Sequence, residues 1–475
     1  MDEFVHPLTA RYASRTMREL FSPKRRITLW RRLWWELMAA QRDLGLPIPP
    51  EALQQLAAHL EPTAAEMARA AELEKETRHD VMAHIRALAE VAPAAGPWLH
   101  LGATSCYVTD NADLIILREA SQLVLRRGAA VVAALASRAA QHRDLVCLGH
   151  THFQPAQPTT VGKRACLWLQ DLLVDLKHLE EEGSRLLLLG SKGTTGTQAS
   201  FLELFGSREK VEALDRRIAQ AFGFDGTYPV TGQTSPRKVE FYLVAPLSGL
   251  AQSAYRFATD IRLLARLGEV EEPQEATQVG SSAMPYKRNP MRCERMTGLA
   301  RYLIELLGNL AWTAASQWLE RTLDDSANRR LVLPEAFLAA DALLILWHNV
   351  ASGLVVYPAV IQRNLRQELP FLATEAILMH ATAKGGNRQE LHELLRQLSR
   401  KAAQAIKGEG QDNPLLALVA AEPRFQLSQE ELESLLQPRR FAGCAADQVD
   451  HFLEAHVHPW LAAHGQGAEG GEVEV

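Results

Sequence analysis

Asn111-Ala112-Asp113-Leu114-Ile115-Ile116-Leu117-Arg118-Glu119-Ala120, continuing from Ser121 to Gln141 without a proline, is the stretch that decides the fold. Its apolar residues recur at three- and four-residue intervals, with none of the sustained alternation of a strand. Leu114 to Leu117 carry that apolar character onto every side, and a helix apolar all round must be buried. The run predicts a helix inside a bundle and hints that bundles from several subunits pack together. Working outward, the same periodicity predicts helices over Thr159–Leu189, Val239–Leu267, Met296–Leu319 and Leu333–Gly353, with Pro246 as a kink site in the second of these. Five helices of about twenty to thirty residues each exceed the usual globular length. The expected fold is all-α, with a long central bundle.

The chain of 475 residues is too long for one ordinary domain. Composition shifts divide it into an N-terminal helical domain (1–106), the central bundle (107–357), a more polar C-terminal helical domain (358–464) and a glycine-rich acidic tail (465–475) expected to be disordered. With 51 basic and 56 acidic side chains the formal charge is -5, so nothing global points to nucleic acid or an anionic membrane. Any anionic ligand must be held by local arginines. Cys106, Cys147, Cys166, Cys293 and Cys444 are odd in number and free of CxxC spacing, which reads as reduced thiols. The N-terminus has no cationic region followed by an apolar block, and the cytoplasm is the default expectation. Ala342 to Gln362 has no charged residue and is long enough to cross a bilayer. His348, Asn349, Ser352, Gly353 and Pro358 within it favour a buried bundle helix, with a membrane span as the alternative.

Between these helices lie polar clusters. Gly280-Ser281-Ser282-Ala283-Met284-Pro285-Tyr286-Lys287-Arg288-Asn289-Pro290, followed by Met291-Arg292-Cys293-Glu294-Arg295, cannot continue a helix and presents hydroxyls and cations between two rigid supports. Gly149-His150-Thr151-His152-Phe153-Gln154-Pro155-Ala156-Gln157-Pro158 joins two long helices; bare, its His-x-His reads first as two loop histidines, with a metal pair or a base as the alternatives. Thr77-Arg78-His79-Asp80 sets a cation, an imidazole and a carboxylate in sequence, while Asp80 and His84 at helical spacing lack a second cluster that would support a metal. Ser191 to Gln198 has evenly spaced glycines and matches neither a P-loop nor a dinucleotide fingerprint. Arg321, Arg329 and Arg330 lie within ten residues. Trp30, Trp34 and Trp35 read as core or interface anchors, the first two sharing a helical face.

The run GSSAMPYKRNP resembles the signature of the fumarase/aspartase superfamily, whose members release fumarate by breaking a C–N or C–O bond. Together with THFQPAQ and LGATSC it is most similar to the branch acting on succinyl purine nucleotides, over Arg11 to about Arg400. The resemblance implies β-elimination from a succinyl-nucleotide with no metal or other cofactor, in a homotetramer whose shared active sites draw on three subunits. Residue chemistry alone points to a histidine as base; the resemblance assigns that role to Ser281, with Ser282 left open. It implies His152 as general acid, Glu294 as its carboxylate partner, His79 in the chemistry, and Lys287 as a cation for the doubly charged intermediate. Substrate contacts are implied for Arg78, Asp80, Thr104, Ser105, Gln233 and Asn289, and for Arg11, Tyr12, Arg295, Arg321, Ser326 and Arg330 at the nucleotide portion. Forked guanidinium groups suit carboxylates and phosphates. The rivals are another fumarate-releasing lyase, such as argininosuccinate lyase or fumarase, and a structural protein derived from one.

Overall fold

The computed structural model describes residues 3–275, 283, 284, 286–465, 468, 470, 471 and 473. The all-α expectation holds, and the central element is longer than its apolar run suggests: a helix over Ser105–Gln141, 37 residues, spanning about 55 Å at roughly 1.5 Å per residue. It packs against Val161–Ser184 and Asp324–Gly353, while Lys238–Arg266 and Met291–Ala315 close the bundle on the other side. Leu114, Ile115, Ile116 and Leu117 are each only 1–2% exposed. Burial on every side of that turn is therefore achieved by one chain, and this run by itself requires no second copy.

Asp324–Gly353 is the one described helix long and apolar enough to cross a membrane, and 78% of its most apolar window is buried inside the protein. The uncharged stretch Ala342–Gln362 is not one helix. It stops at Leu354, passes through the two-residue strand Val355–Val356, and restarts with Pro358 at the head of Pro358–Leu372. A proline without an N–H is tolerated at that first position.

One apolar core joins residues of the N-terminal helices to the bundle and takes in Val449, Leu453, Val457 and Trp460 from near the C-terminus. A separate smaller core gathers Ala373, Ile377, Leu391, Leu395, Phe425 and their neighbours. Trp30 and Trp34 are 3% and 1% exposed, edge to face at 6.4 Å, and Trp34 Nε1 donates to His100 Nδ1 at 2.9 Å.

One element escaped the periodicity reading. Val146–Thr151 and Gln154–Thr160 form an antiparallel hairpin where the sequence reading expected a linker and the start of a helix. Its two-residue loop is His152-Phe153, at φ 54° and 57°, the left-handed pair that a tight hairpin requires. Gly149 is needed inside it, because a Cβ there would stand 2.2 Å from the Gln157 carbonyl oxygen. Prolines at 155 and 158 hide such a strand from a propensity argument.

Candidate active site

A cleft of about 440 Å³ opens where the starts of three helices meet. Arg78, His79, Asp80, Ser105, Gln233, Arg321, Ser326 and Arg330, all nominated by the sequence, line it together. The helix Ala64–Thr77 begins with a Thr63–Glu66 capping box and ends at Arg78 in the left-handed region, φ 53°. That conformation is uncommon for a residue with a Cβ, and it turns the chain sharply enough for His79 to cap the next helix, Asp80–Val91. His79 Nδ1 accepts the Met82 N–H at 3.4 Å and its Nε2 lies 3.3 Å from Ser105 Oγ. With Nδ1 accepting, the neutral ring carries its proton on Nε2 and donates to Ser105. Asp80 Oδ2 accepts from Arg330 Nη2 at 2.7 Å across 250 positions of sequence. Burial pushes the Asp80 carboxyl upward, but the Arg330 hydrogen bond and the Val81 N–H outweigh it and leave its pKa below the usual carboxylate value.

Gln233 is held from three sides. Its backbone N–H donates to Glu320 O at 2.9 Å, its Nε2 to Thr194 O at 3.1 Å, and its Oε1 faces Cys106 Sγ at 3.7 Å. The loop that supplies Thr194 packs so closely that a Cβ on Gly196, φ 79°, would meet Thr231 O at 1.9 Å. Asp215 anchors the same loop, accepting from Ser191 N and Oγ and from Lys192 Nζ at 2.6–2.7 Å. Lys192 is thus a buried structural cation.

Beneath the cleft runs a ladder of alternating charges that sequence reasoning missed. Arg321 Nη1 meets Asp325 at 2.9 Å, Asp325 meets Arg237 Nε at 2.6 Å, and Arg237 Nη1 meets Asp110 at 2.8 Å. Arg329 is clasped by Glu240 and reaches Asp113 at 3.1 Å, and Asp113 in turn lies 3.7 Å from Arg26. Burial pushes Asp110 upward, but Arg237 and Arg329 outweigh it and hold its carboxyl below the usual range. The available signal was Asp110 and Asp113, two carboxylates three apart in a helix otherwise too apolar to carry unpaired charge.

Other nominated residues stand outside the cleft lining. Thr104 is the residue before the Ser105–Gln141 helix. Arg11, exposed, and Tyr12 end the Leu8–Tyr12 turn, with the Arg295 guanidinium 5.6 Å from the Tyr12 ring. His152 sits on the exposed hairpin tip. Lys287 is exposed, its N–H bonded to Met284 O, and Asn289 accepts the Met291 N–H. Glu294 is exposed in the first turn of Met291–Ala315, 3.9 Å from Arg262. Glu272, which the sequence reading did not single out, caps that helix through the Arg292 and Cys293 N–H groups at 3.0 and 2.5 Å. Ser281 and Ser282 lie outside the described residues, as does part of the terminal stretch 465–475.

A profile described as "Lyase" matches residues 19–304, and one described as "Adenylosuccinate lyase C-terminus" matches 370–452. The chain is 52% identical to the adenylosuccinate lyase of Saccharomyces cerevisiae over 96% of its own length and 95% of the relative's. It belongs to the adenylosuccinate lyase family. The enzyme of that name from Schizosaccharomyces pombe is likewise 52% identical over 96% of this chain and 95% of its own. Among solved structures, a fumarate lyase from Mesorhizobium sp. BNC1 superposes with a TM-score of 0.80 at 28% identity, covering 94% of this chain and 99% of the other. Family likeness therefore extends past Arg400, where the motif-based resemblance ended, because the C-terminal region carries helical packing rather than polar motifs.

Proposed function

We propose that this chain is a carbon–nitrogen lyase that releases fumarate by β-elimination from adenylosuccinate, giving AMP, and from succinyl-aminoimidazole-carboxamide ribotide, giving the carboxamide ribotide. Membership of the adenylosuccinate lyase family, with the nominated anion-binding side chains converging on one cleft, carries this reading. Ser105 Oγ accepts from His79, which leaves its own O–H free to donate to a substrate carboxylate. Arg321 and Arg330 suit the phosphate, whose charge is about -1.5 to -2.

The charge balance supports a shared site. Arg26, Arg78, Arg237, Arg321, Arg329 and Arg330 line the cleft. Glu74, Asp80, Asp110 and Asp113 line it too, with Asp325 and Glu240 bonded to its arginines, so these groups cancel. A polyanion then needs further cations, and Arg11, Lys287 and Arg295 supply them in this reading. Trp312, Trp318, Leu319, Leu323 and Leu331 are each 62–98% exposed, an apolar surface of the kind that marks a protein interface. In a homotetramer burying it, His152 and the 280s loop of other copies complete each cleft.

Within the completed site, Ser281 Oγ, having released its hydroxyl proton to solvent before the loop closes and held as the anion by Lys287, takes a proton from the carbon beside a succinyl carboxylate and becomes a hydroxyl again. Backbone donors of the loop and Asn289 hold the carboxylate that gains charge. His152, oriented by Glu294, protonates the departing nitrogen. The setting is the cytoplasm and the ligands are small molecules. The test is the rate of fumarate release by purified protein from adenylosuccinate, argininosuccinate and malate without added metal. Adenylosuccinate is expected to be cleaved by a wide margin; preference for either other compound overturns the substrate, and full loss of activity to a chelator overturns the cofactor-free mechanism.

A further inference from the structure

We infer that Asp325 is a positioning residue for substrate binding, aiming the Arg321 guanidinium into the cleft from a carboxylate locked beneath it. The inference rests on the functional reading above and adds a residue to it. Asp325 has no exposed side-chain surface. Its Oδ2 is fixed by Arg237 Nε at 2.6 Å, and Arg237 is itself only 1% exposed and tied to Asp110 at 2.8 Å. The remaining oxygen, Oδ1, is thereby set in place to receive Arg321 Nη1 at 2.9 Å. Asp325 also lies in the first turn of Asp324–Gly353, where helix N–H groups favour a negative charge.

The three floor arginines are not equivalent. Arg329 spends Nε and Nη2 on Glu240 and Asp113, and Arg237 spends Nε and Nη1 on Asp325 and Asp110. Arg321, with its side chain 23% exposed, spends Nη1 alone among the described residues. Its other guanidinium donors remain for an anion. A long side chain left to itself explores many rotamers, and fixing it before the ligand arrives removes that cost from binding.

The sign of the effect separates positioning from charge. By charge alone, neutralising Asp325 makes the cleft more positive and tightens anion binding; by positioning, it frees Arg321 and weakens binding. Asp325→Asn, which keeps the shape, is expected to raise KM for adenylosuccinate about tenfold while changing kcat less than about twofold. The double variant Asp325→Asn/Arg321→Gln is expected to bind no worse than Arg321→Gln alone, since the carboxylate acts through that arginine. Asp325→Glu keeps the charge and displaces the carboxylate by one methylene; it too is expected to raise KM, and it decides the matter where the asparagine variant does not fold. A lowered or unchanged KM in the folded aspartate variants, or fully additive effects in the double variant, overturns the proposal. Failure of the wild-type protein to cleave adenylosuccinate overturns the functional reading instead.

Discussion

The cleft floor and the exposed projections of this molecule handle charge in opposite ways. On the floor, Arg237, Arg329, Asp110 and Asp325 are at most 7% exposed and each is held by partners drawn from distant helices. A buried charge deprived of its partner costs several kcal/mol, so this half of the site is fixed once the chain folds. His152 on its hairpin and Lys287 and Glu294 beside the 280s loop are exposed and stand outside the cleft lining. Exposed pairs such as Glu294 with Arg262 contribute roughly 0–1 kcal/mol, too little to hold a catalytic geometry. The nominated side chains of the cleft are thus held within one chain, whereas His152, Lys287 and Glu294 stand apart from them, and the proposed function brings these in from neighbouring copies.

The sharpest break of that contrast comes from the projections. His152→Ala and Ser281→Ala are each expected to lower kcat by about 10²–10⁴-fold, the usual worth of a proton-transfer group, with the melting temperature unchanged. A Ser281→Ala enzyme of near-normal rate would move the base elsewhere. Next in size, co-refolding those two inactive variants in equal amounts is expected to restore about a quarter of wild-type sites, since random mixing in a closed oligomer places both intact groups in that fraction. No recovery from well-formed mixed oligomers would mean that one chain supplies both groups.

On the floor side, Arg330→Gln removes the partner of Asp80 and, in the proposed function, an anion contact. Charged hydrogen bonds are worth about 1.5–3 kcal/mol, so KM is expected to rise about ten- to a hundredfold. Melting should barely move, because the Arg330 side chain is 55% exposed. The smallest effect on activity is expected at Glu66, which does not line the cleft. Burial pushes it upward, but the Thr63 N–H, His59 and Arg31 bring its carboxyl down to about 2 from an ordinary 4.5. A depressed folded pKa means stability present above pH 4.5 and lost as pH falls toward 2. Glu66→Gln is expected to lower the melting temperature at neutral pH, because the buried Arg31 loses its carboxylate, and to flatten its pH dependence over that window; an unchanged slope would show that the pair is not coupled to folding.

How much was legible follows from the physics of each signal. The five bundle helices were readable because apolar periodicity is local, and their ends shifted where polar first turns, such as Asp324 to Arg330, interrupt the pattern. The hairpin was not readable, since its pairing joins residues that alternate poorly and include two prolines. Arg78, His79, Asp80, Ser105, Gln233, Arg321, Ser326 and Arg330 could be nominated by family likeness, and they do converge. The charge ladder was invisible because its partners lie up to 216 positions apart, and sequence distance carries no information about which carboxylate meets which guanidinium. By itself, then, the sequence determined an all-helical bundle, a family and the chemical types its site would need. Only the tertiary structure decided which arginines are spent on internal carboxylates and which remain for a ligand, because desolvation makes pairing compulsory wherever folding buries a charge.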